Sequence, residues 1–218
     1  MRTEKSKIKT KSIVWKWVKR TLITVGVVFA VLGLLIYQPW VFLPHKKVEI
    51  SLPFAPEFDS AANLIPMGEI EQWHNASTGL PDGHPGIDFQ WQEPTPVIAV
   101  GDGYIFRISK SSGEYSVEQS LSAYYRTAYQ ELDKIDSNIR LFSKVKKGQI
   151  IGYTRNNFQT HWDFASSSFL VNRLCPMGYF DADSKKRIET IWANVKAKGN
   201  YKPEYPDICN GAYKGKEK

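Results

Sequence analysis

Three patterns of apolar and polar positions divide the chain. From Thr21 to Pro44 no charged residue occurs, and Val25, Val27, Val28, Phe29, Val31, Leu32, Leu34, Leu35 and Ile36 make the run almost wholly apolar. A helix of about 20 such residues spans a bilayer, so a transmembrane segment is expected over 21–43. From about residue 61 to 175 the pattern changes to short β-like runs broken by turn residues. Pro96 to Val100 reads as a buried strand, Gly101-Asp102-Gly103 as a turn, and Tyr104 to Ile108 as the returning strand. Tyr115 to Leu121, Tyr124 to Leu132, Leu141 to Val145 and Ile150 to Tyr153 continue the series, punctuated by Ser111-Ser112-Gly113 and Lys146-Lys147-Gly148-Gln149. Such a series predicts a mainly β fold with an antiparallel sandwich or barrel-like core. After Cys175 the period lengthens. Ile188, Ile191, Trp192 and Val195 share one helical face, with Asp183 or Ser184 to cap its start.

The expected divisions are therefore a basic segment over 1–20, the span over 21–43, a linker over 44–60, a β domain over 61–175 and a helical extension over 176–218. Charge sharpens this picture at one end only. The formal net charge is +7, but eight basic residues and one acid lie in the first twenty positions. The remainder holds 21 of each sign, which gives no ground for nucleic-acid binding. The basic flank before the apolar run predicts a cytoplasmic N-terminus. No small-x-small cleavage pattern follows the run, so an uncleaved single-pass anchor in the inner or plasma membrane is expected, with the rest periplasmic or extracellular. In such a compartment the two cysteines, Cys175 and Cys209, are expected to form a disulfide.

Two short stretches carry the candidate chemistry. Gly83-His84-Pro85-Gly86-Ile87-Asp88-Phe89 sets a His and an Asp four positions apart. Pro85 and Gly86 argue against a helix there and for a turn running into a strand. Thr160-His161-Trp162-Asp163-Phe164 sets a His and an Asp two apart. On a strand His161 and Asp163 share a face, and Trp162 and Phe164 point into the core. Each pair alone is ordinarily a satisfied polar pair. Two imidazoles and two carboxylates aimed at one point are the raw material of a zinc site or of acid–base chemistry. His74, ten residues before His84, reads as a surface histidine.

The order of these pieces resembles the lysostaphin-type zinc endopeptidases of bacterial cell walls. His84-Pro85-Gly86-Ile87-Asp88 looks like that family's His-x-Gly-x-Asp turn, Thr95 to Gly103 like the strand and turn that follow it, and Val145 to Gly152 like its late hairpin. Thr160 to Phe164 falls where the family has His-x-His. The resemblance implies a membrane-anchored metallo-endopeptidase acting on peptide cross-links of peptidoglycan. It implies one zinc ion, with His84 and Asp88 as ligands and Asp163 as the third, in place of the family's second His. His161 would be the general base. Glu131, standing where the family commonly has a His, would be a further catalytic carboxylate. One His and two carboxylates make a harder site than two His and one Asp, which leaves the identity of the divalent metal open. These departures also leave open a degenerate relative that binds cell wall or regulates another cell-wall hydrolase, and a structural envelope protein that uses the fold alone.

Overall fold

The computed structural model describes residues 2–37, 45–68, 83–154, 158–166, 172–198 and 208–209. It divides into two compact units, Met1–Leu43 and Pro44–Lys218. The first is helix α1, Arg2–Tyr37. Within it Trp15–Leu34 is long and apolar enough to cross a membrane by length and composition, or to serve as a signal sequence. The helix begins well before the expected start at residue 21. The Lys and Arg residues before the apolar run do not interrupt it, because straight-chain residues are good helix formers.

The second unit is built on one antiparallel sheet. Its strands are β1 (Asn63–Ile65), β2 (Ile87–Gln90), β3 (Pro96–Ile98), β4 (Gly103–Ser111), β5 (Glu114–Ser120), β6 (Tyr125–Ile135), β7 (Lys144–Val145), β8 (Ile150–Thr154), β9 (Gln159–Ser166) and β10 (Asn172–Arg173). The main order is β1-β2-β9-β6-β5-β4-β7, with β10 beside β9 and β8 bridging β6 to β3. The sheet does not close into a barrel. The long strand β6 makes the corner. Up to Gln130 it pairs with β9, and from Leu132 it pairs with β8. Glu131 sits at the change of partner with φ 62°, a left-handed conformation that a non-glycine residue rarely adopts.

Alternation along β9 behaves as its sequence predicts. Trp162 and Phe164 are wholly buried in a core with Phe89, Tyr129, Val117 and Leu132. Tyr129 is anchored there by its hydroxyl, which donates to Gln119 Oε1 at 2.6 Å and accepts from the Val100 amide at 2.9 Å. Helix α2, Ala182–Ala197, buries Ile188, Ile191, Trp192 and Val195 as expected. Its cap is Asp181, whose carboxylate accepts from the Ser184 amide, rather than Asp183 or Ser184.

The stretch expected to be a linker is in large part core. Ile50, Leu52 and Phe54 are fully buried. Ile50 bridges to Phe180 and exchanges backbone hydrogen bonds with Tyr179 and Asp181. Arg187 of α2 forks onto Asp59 with two 2.8 Å contacts and donates to the Phe54 carbonyl at 3.1 Å. The prolines at 53 and 56 stiffen the segment, but its alternate apolar residues are what dock it. Cys175 and Cys209 form the expected disulfide, with a Cα separation of 5.8 Å. His74 lies outside the described residues.

Candidate metal centre

The turn before β2 and the middle of β9 meet because their strands pair. In register, Asp88 lies directly opposite His161 and Ile87 opposite Trp162. The turn reaches back far enough to bring His84 alongside. Gly86 is what permits this approach. A Cβ there would collide with the Trp162 carbonyl and stand 2.9 Å from His161 Nε2. Gly86 therefore does more than exclude a helix, since it lets the turn lie against β9.

Three side-chain atoms converge as a result. His161 Nδ1 is 2.7 Å from Asp88 Oδ1 and 3.0 Å from His84 Nε2, and His84 Nε2 is 3.0 Å from Asp88 Oδ1. All three residues are buried. Ligands about 2.0–2.2 Å from a tetrahedral zinc stand roughly 3.3 Å from one another, so a slight expansion of this triangle would admit the ion. His84 Nδ1 lies 3.2 Å from the Pro66 carbonyl. A carbonyl only accepts, so this contact would keep a proton on Nδ1 and leave Nε2 to face a metal. Such orientation by a backbone carbonyl is the usual support of a metal-ligating His. Two imidazoles and one carboxylate are a donor set that fits zinc chemistry. His84, Asp88 and His161 thus form a possible metal site.

This is a different set from the expected one. Asp163 shares a face with His161 but stands roughly 7 Å further along the strand, two residues at about 3.3 Å each. It pairs across to Ala128, beyond the end of β2. There its carboxylate accepts from Gln130 Nε2 at 2.9 Å and lies 3.3 Å from Arg173 Nη2. The cluster takes in His161 instead of Asp163, and its donor set is the softer one.

Glu131 reaches the edge of the centre through Gln159. The Gln159 amide nitrogen lies 2.9 Å from Glu131 Oε2 and 3.1 Å from Asp88 Oδ2, and its oxygen accepts from Gln90 at 2.6 Å. Gln159 belongs to β9, on the His161 face. The same alternation that pairs His161 with Asp163 also reaches back to Gln159, so the signal was present in the sequence.

The charges are tuned by this packing. Burial alone would raise the Asp88 carboxyl, but hydrogen bonds to His161 and His84 outweigh it and hold the pKa down at about 2. Burial pushes the His161 imidazole the other way, yet the Asp88 hydrogen bond and the charges of Asp88, Asp163 and Glu131 leave its pKa raised. Glu131 is raised, first by burial and then by the charge of Asp88.

The antiparallel β domain thus brings two imidazoles and a carboxylate to one buried point. The model of Peptidase family M23 matches residues 82–167. Among solved structures the chain is similar to the catalytic domain of the antimicrobial peptidase lysostaphin from Staphylococcus simulans. The two are 23% identical with a TM-score of 0.47, over 58% of this chain and 97% of that one. It is also similar to a zinc-containing peptidase from Vibrio cholerae, at 21% identity and a TM-score of 0.46, over 58% of this chain and 39% of that one. The latter match spans less than half of the Vibrio protein. A third similar structure is the SpoIIQ–SpoIIIAH pore-forming complex, at 18% identity and a TM-score of 0.49, over 66% of this chain and 98% of that one.

Proposed function

We propose that the domain is a metal-dependent peptidase of the cell envelope, acting on peptide cross-links of peptidoglycan with His84, Asp88 and His161 holding one zinc ion. The observation that carries this reading is the 2.7–3.0 Å triangle of their ligating atoms. Zinc bound there would polarise a carbonyl and make water acidic enough to attack near neutral pH. The chain's own residues divide the remaining work. The Pro66 carbonyl holds the His84 ring in the orientation that exposes Nε2. Asp88 supplies the anionic donor. Glu131 is the acid–base group, since its raised pKa suits a carboxyl that must take up a proton and release it. Gln159 fixes the Glu131 carboxylate by donating to it. In this assignment His161 is a ligand, and the role of general base passes from His161 to Glu131. The apolar helix α1 is the anchor, with the N-terminus cytoplasmic and the domain outside.

One observation favours a second reading. If His161 fills the second position of the family's His-x-His pattern, the first falls at Gln159. An amide cannot accept the proton that an imidazole would take there. The domain would then hold metal without cutting, as a cell-wall binder or a regulator of another hydrolase.

Metal content and cleavage separate the two. Glu131→Gln should keep one zinc per chain and lower cleavage of peptidoglycan peptides by about 10²–10⁴-fold. A wild-type protein that holds zinc yet cuts no peptide, and that gains cleavage on Gln159→His, would establish the second reading instead. A wild type that holds no metal would contradict both.

A further inference from the structure

The sheet face that carries the metal centre does not end at it. Asp88, His161 and Gln130 form one row across β2, β9 and β6. The next row along the strands is Asp163, Ala128, Glu118 and Arg107. The row after that joins Arg173, Ala165 and Arg126. Two of the positions across these rows are alanines, so the charged side chains stand around a low floor. The result is a groove of about 460 Å³, bordered at one end by Gln130 and Asp163. That volume lies in the range of small-ligand sites.

The charges in the groove do not cancel. Three guanidiniums face two carboxylates. Glu118 is shared, 3.1 Å from Arg107 Nη1 and 3.9 Å from Arg126 Nη1. Asp163 serves Gln130 as well as Arg173. Arg173 Nε is buried without a hydrogen-bond partner among the described residues, and such a donor calls for a physical explanation. Burial presses hardest on the Arg126 guanidinium. Glu118 offsets part of that pressure, and the like charge of Arg173 adds to it. An additional anion would relieve all three conditions at once. A carboxylate suits best, because its two oxygens match the planar fork of a guanidinium.

We propose that this groove is a carboxylate-binding subsite, in which Arg126 and Arg173 hold an acidic side chain or terminal carboxylate of an extended peptide whose backbone runs toward His84, Asp88 and His161. The backbone half rests on the peptide reading of the neighbouring centre, and the anion half does not. Arg126 and Arg173 stand two rows from the centre, roughly 13 Å along the strands, which is the span of about four residues of extended chain. The acidic group would therefore lie about four residues from the bond nearest the centre. Gln130, hydrogen-bonded to Asp163 and bordering the groove, stands between the two regions.

The test uses the full chain in detergent and two fluorescein-labelled peptides, one of glycines with two glutamates and the other with glutamines in their place. Affinity is read by anisotropy in the presence of a chelator, so that no cleavage intervenes. The wild type should bind the glutamate peptide about tenfold more tightly or better. Arg126→Gln and Arg173→Gln should each shrink that preference, and the double variant should erase it. Equal affinity of the wild type for the two peptides would overturn the proposal without requiring any variant to fold. So would a preference that survives in a folded double variant. A wild type that prefers the glutamate peptide but cleaves nothing when zinc is supplied would sink the peptidase reading and leave the subsite standing. Cleavage with no acidic preference would do the reverse.

Discussion

Two regions of one sheet face, the His84–Asp88–His161 centre and the arginine groove, are built from the same strands by the same alternation and differ in kind. On β9, His161 and Asp163 are two residues apart and point the same way. His161 meets the β2 carboxylate opposite it and the turn laid over it by Gly86. Asp163 lies beyond the end of β2, opposite Ala128, and is held by Gln130 and Arg173. Alternation decides which face a side chain joins. The neighbouring strand, and where that strand ends, decides what chemistry it joins there.

The two regions should respond separately to perturbation, and the largest separation is expected at the disulfide. Cys175 follows Arg173 by two positions, and its bond to Cys209 closes a 34-residue separation in sequence. Replacing both cysteines by serine should cost about 3–4 kcal/mol of stability by the chain-entropy estimate. The folded variant should keep the zinc affinity of the wild type. Denaturant unfolding alongside zinc titration measures both, and a fall in zinc affinity of the folded variant would show that the regions are mechanically one.

Gly86→Ala strikes the other region. Its Cβ must displace the Trp162 carbonyl or the turn, at a cost of up to about 3 kcal/mol. Zinc affinity should fall with stability, while any preference for acidic peptides persists. An unchanged zinc affinity would mean that the turn has another way to reach β9.

Acid should also separate the regions. Asp88 titrates at about 2 in the folded, zinc-free protein against 3.8 in the unfolded chain. A depressed carboxyl stabilises the fold above its unfolded pKa and loses that contribution as pH falls through the folded one. The loss should therefore run from about pH 4 to about pH 2 and amount to about 2 kcal/mol. Asp88→Asn should lack this limb of the stability profile, whereas a profile identical to wild type would refute the low carboxyl pKa.

The smallest effect is a pH slope in zinc binding. His161 has a raised pKa without metal, and a ligating imidazole must be neutral. Proton and zinc therefore compete, and affinity should rise with pH by up to about tenfold per unit until His161 has lost its proton. A flat profile through the neutral range would show that His161 carries no such proton.

Much of this was legible in the sequence. The apolar helix, the face of α2, the burial of Trp162 and Phe164 and the pairing of the two cysteines all follow from local periodicity or from the compartment expected. The approach of residues 83–89 to 160–164 came through resemblance, and the structure bears out their meeting. The register between them was not legible. β2 and β9 lie some seventy residues apart in sequence, and a two-residue shift of one against the other keeps every side chain on its face while exchanging His161 for Asp163. The corner at Glu131 was hidden for a similar reason, because a strand that changes partners looks continuous in its own sequence. Residues 50–54 resembled a linker because prolines flank them. Their burial depends on α2 and Phe180, more than a hundred positions away.

Zinc titration of His161→Ala and Asp163→Ala, side by side with the wild type, tests the identity of the third ligand most directly. Competition with a chromophoric chelator gives the affinities. His161→Ala should lose tight binding, and Asp163→Ala should retain it within a few-fold. Tight binding kept by His161→Ala and lost by Asp163→Ala would contradict the centre as described and restore the carboxylate-rich site that the sequence motif implies.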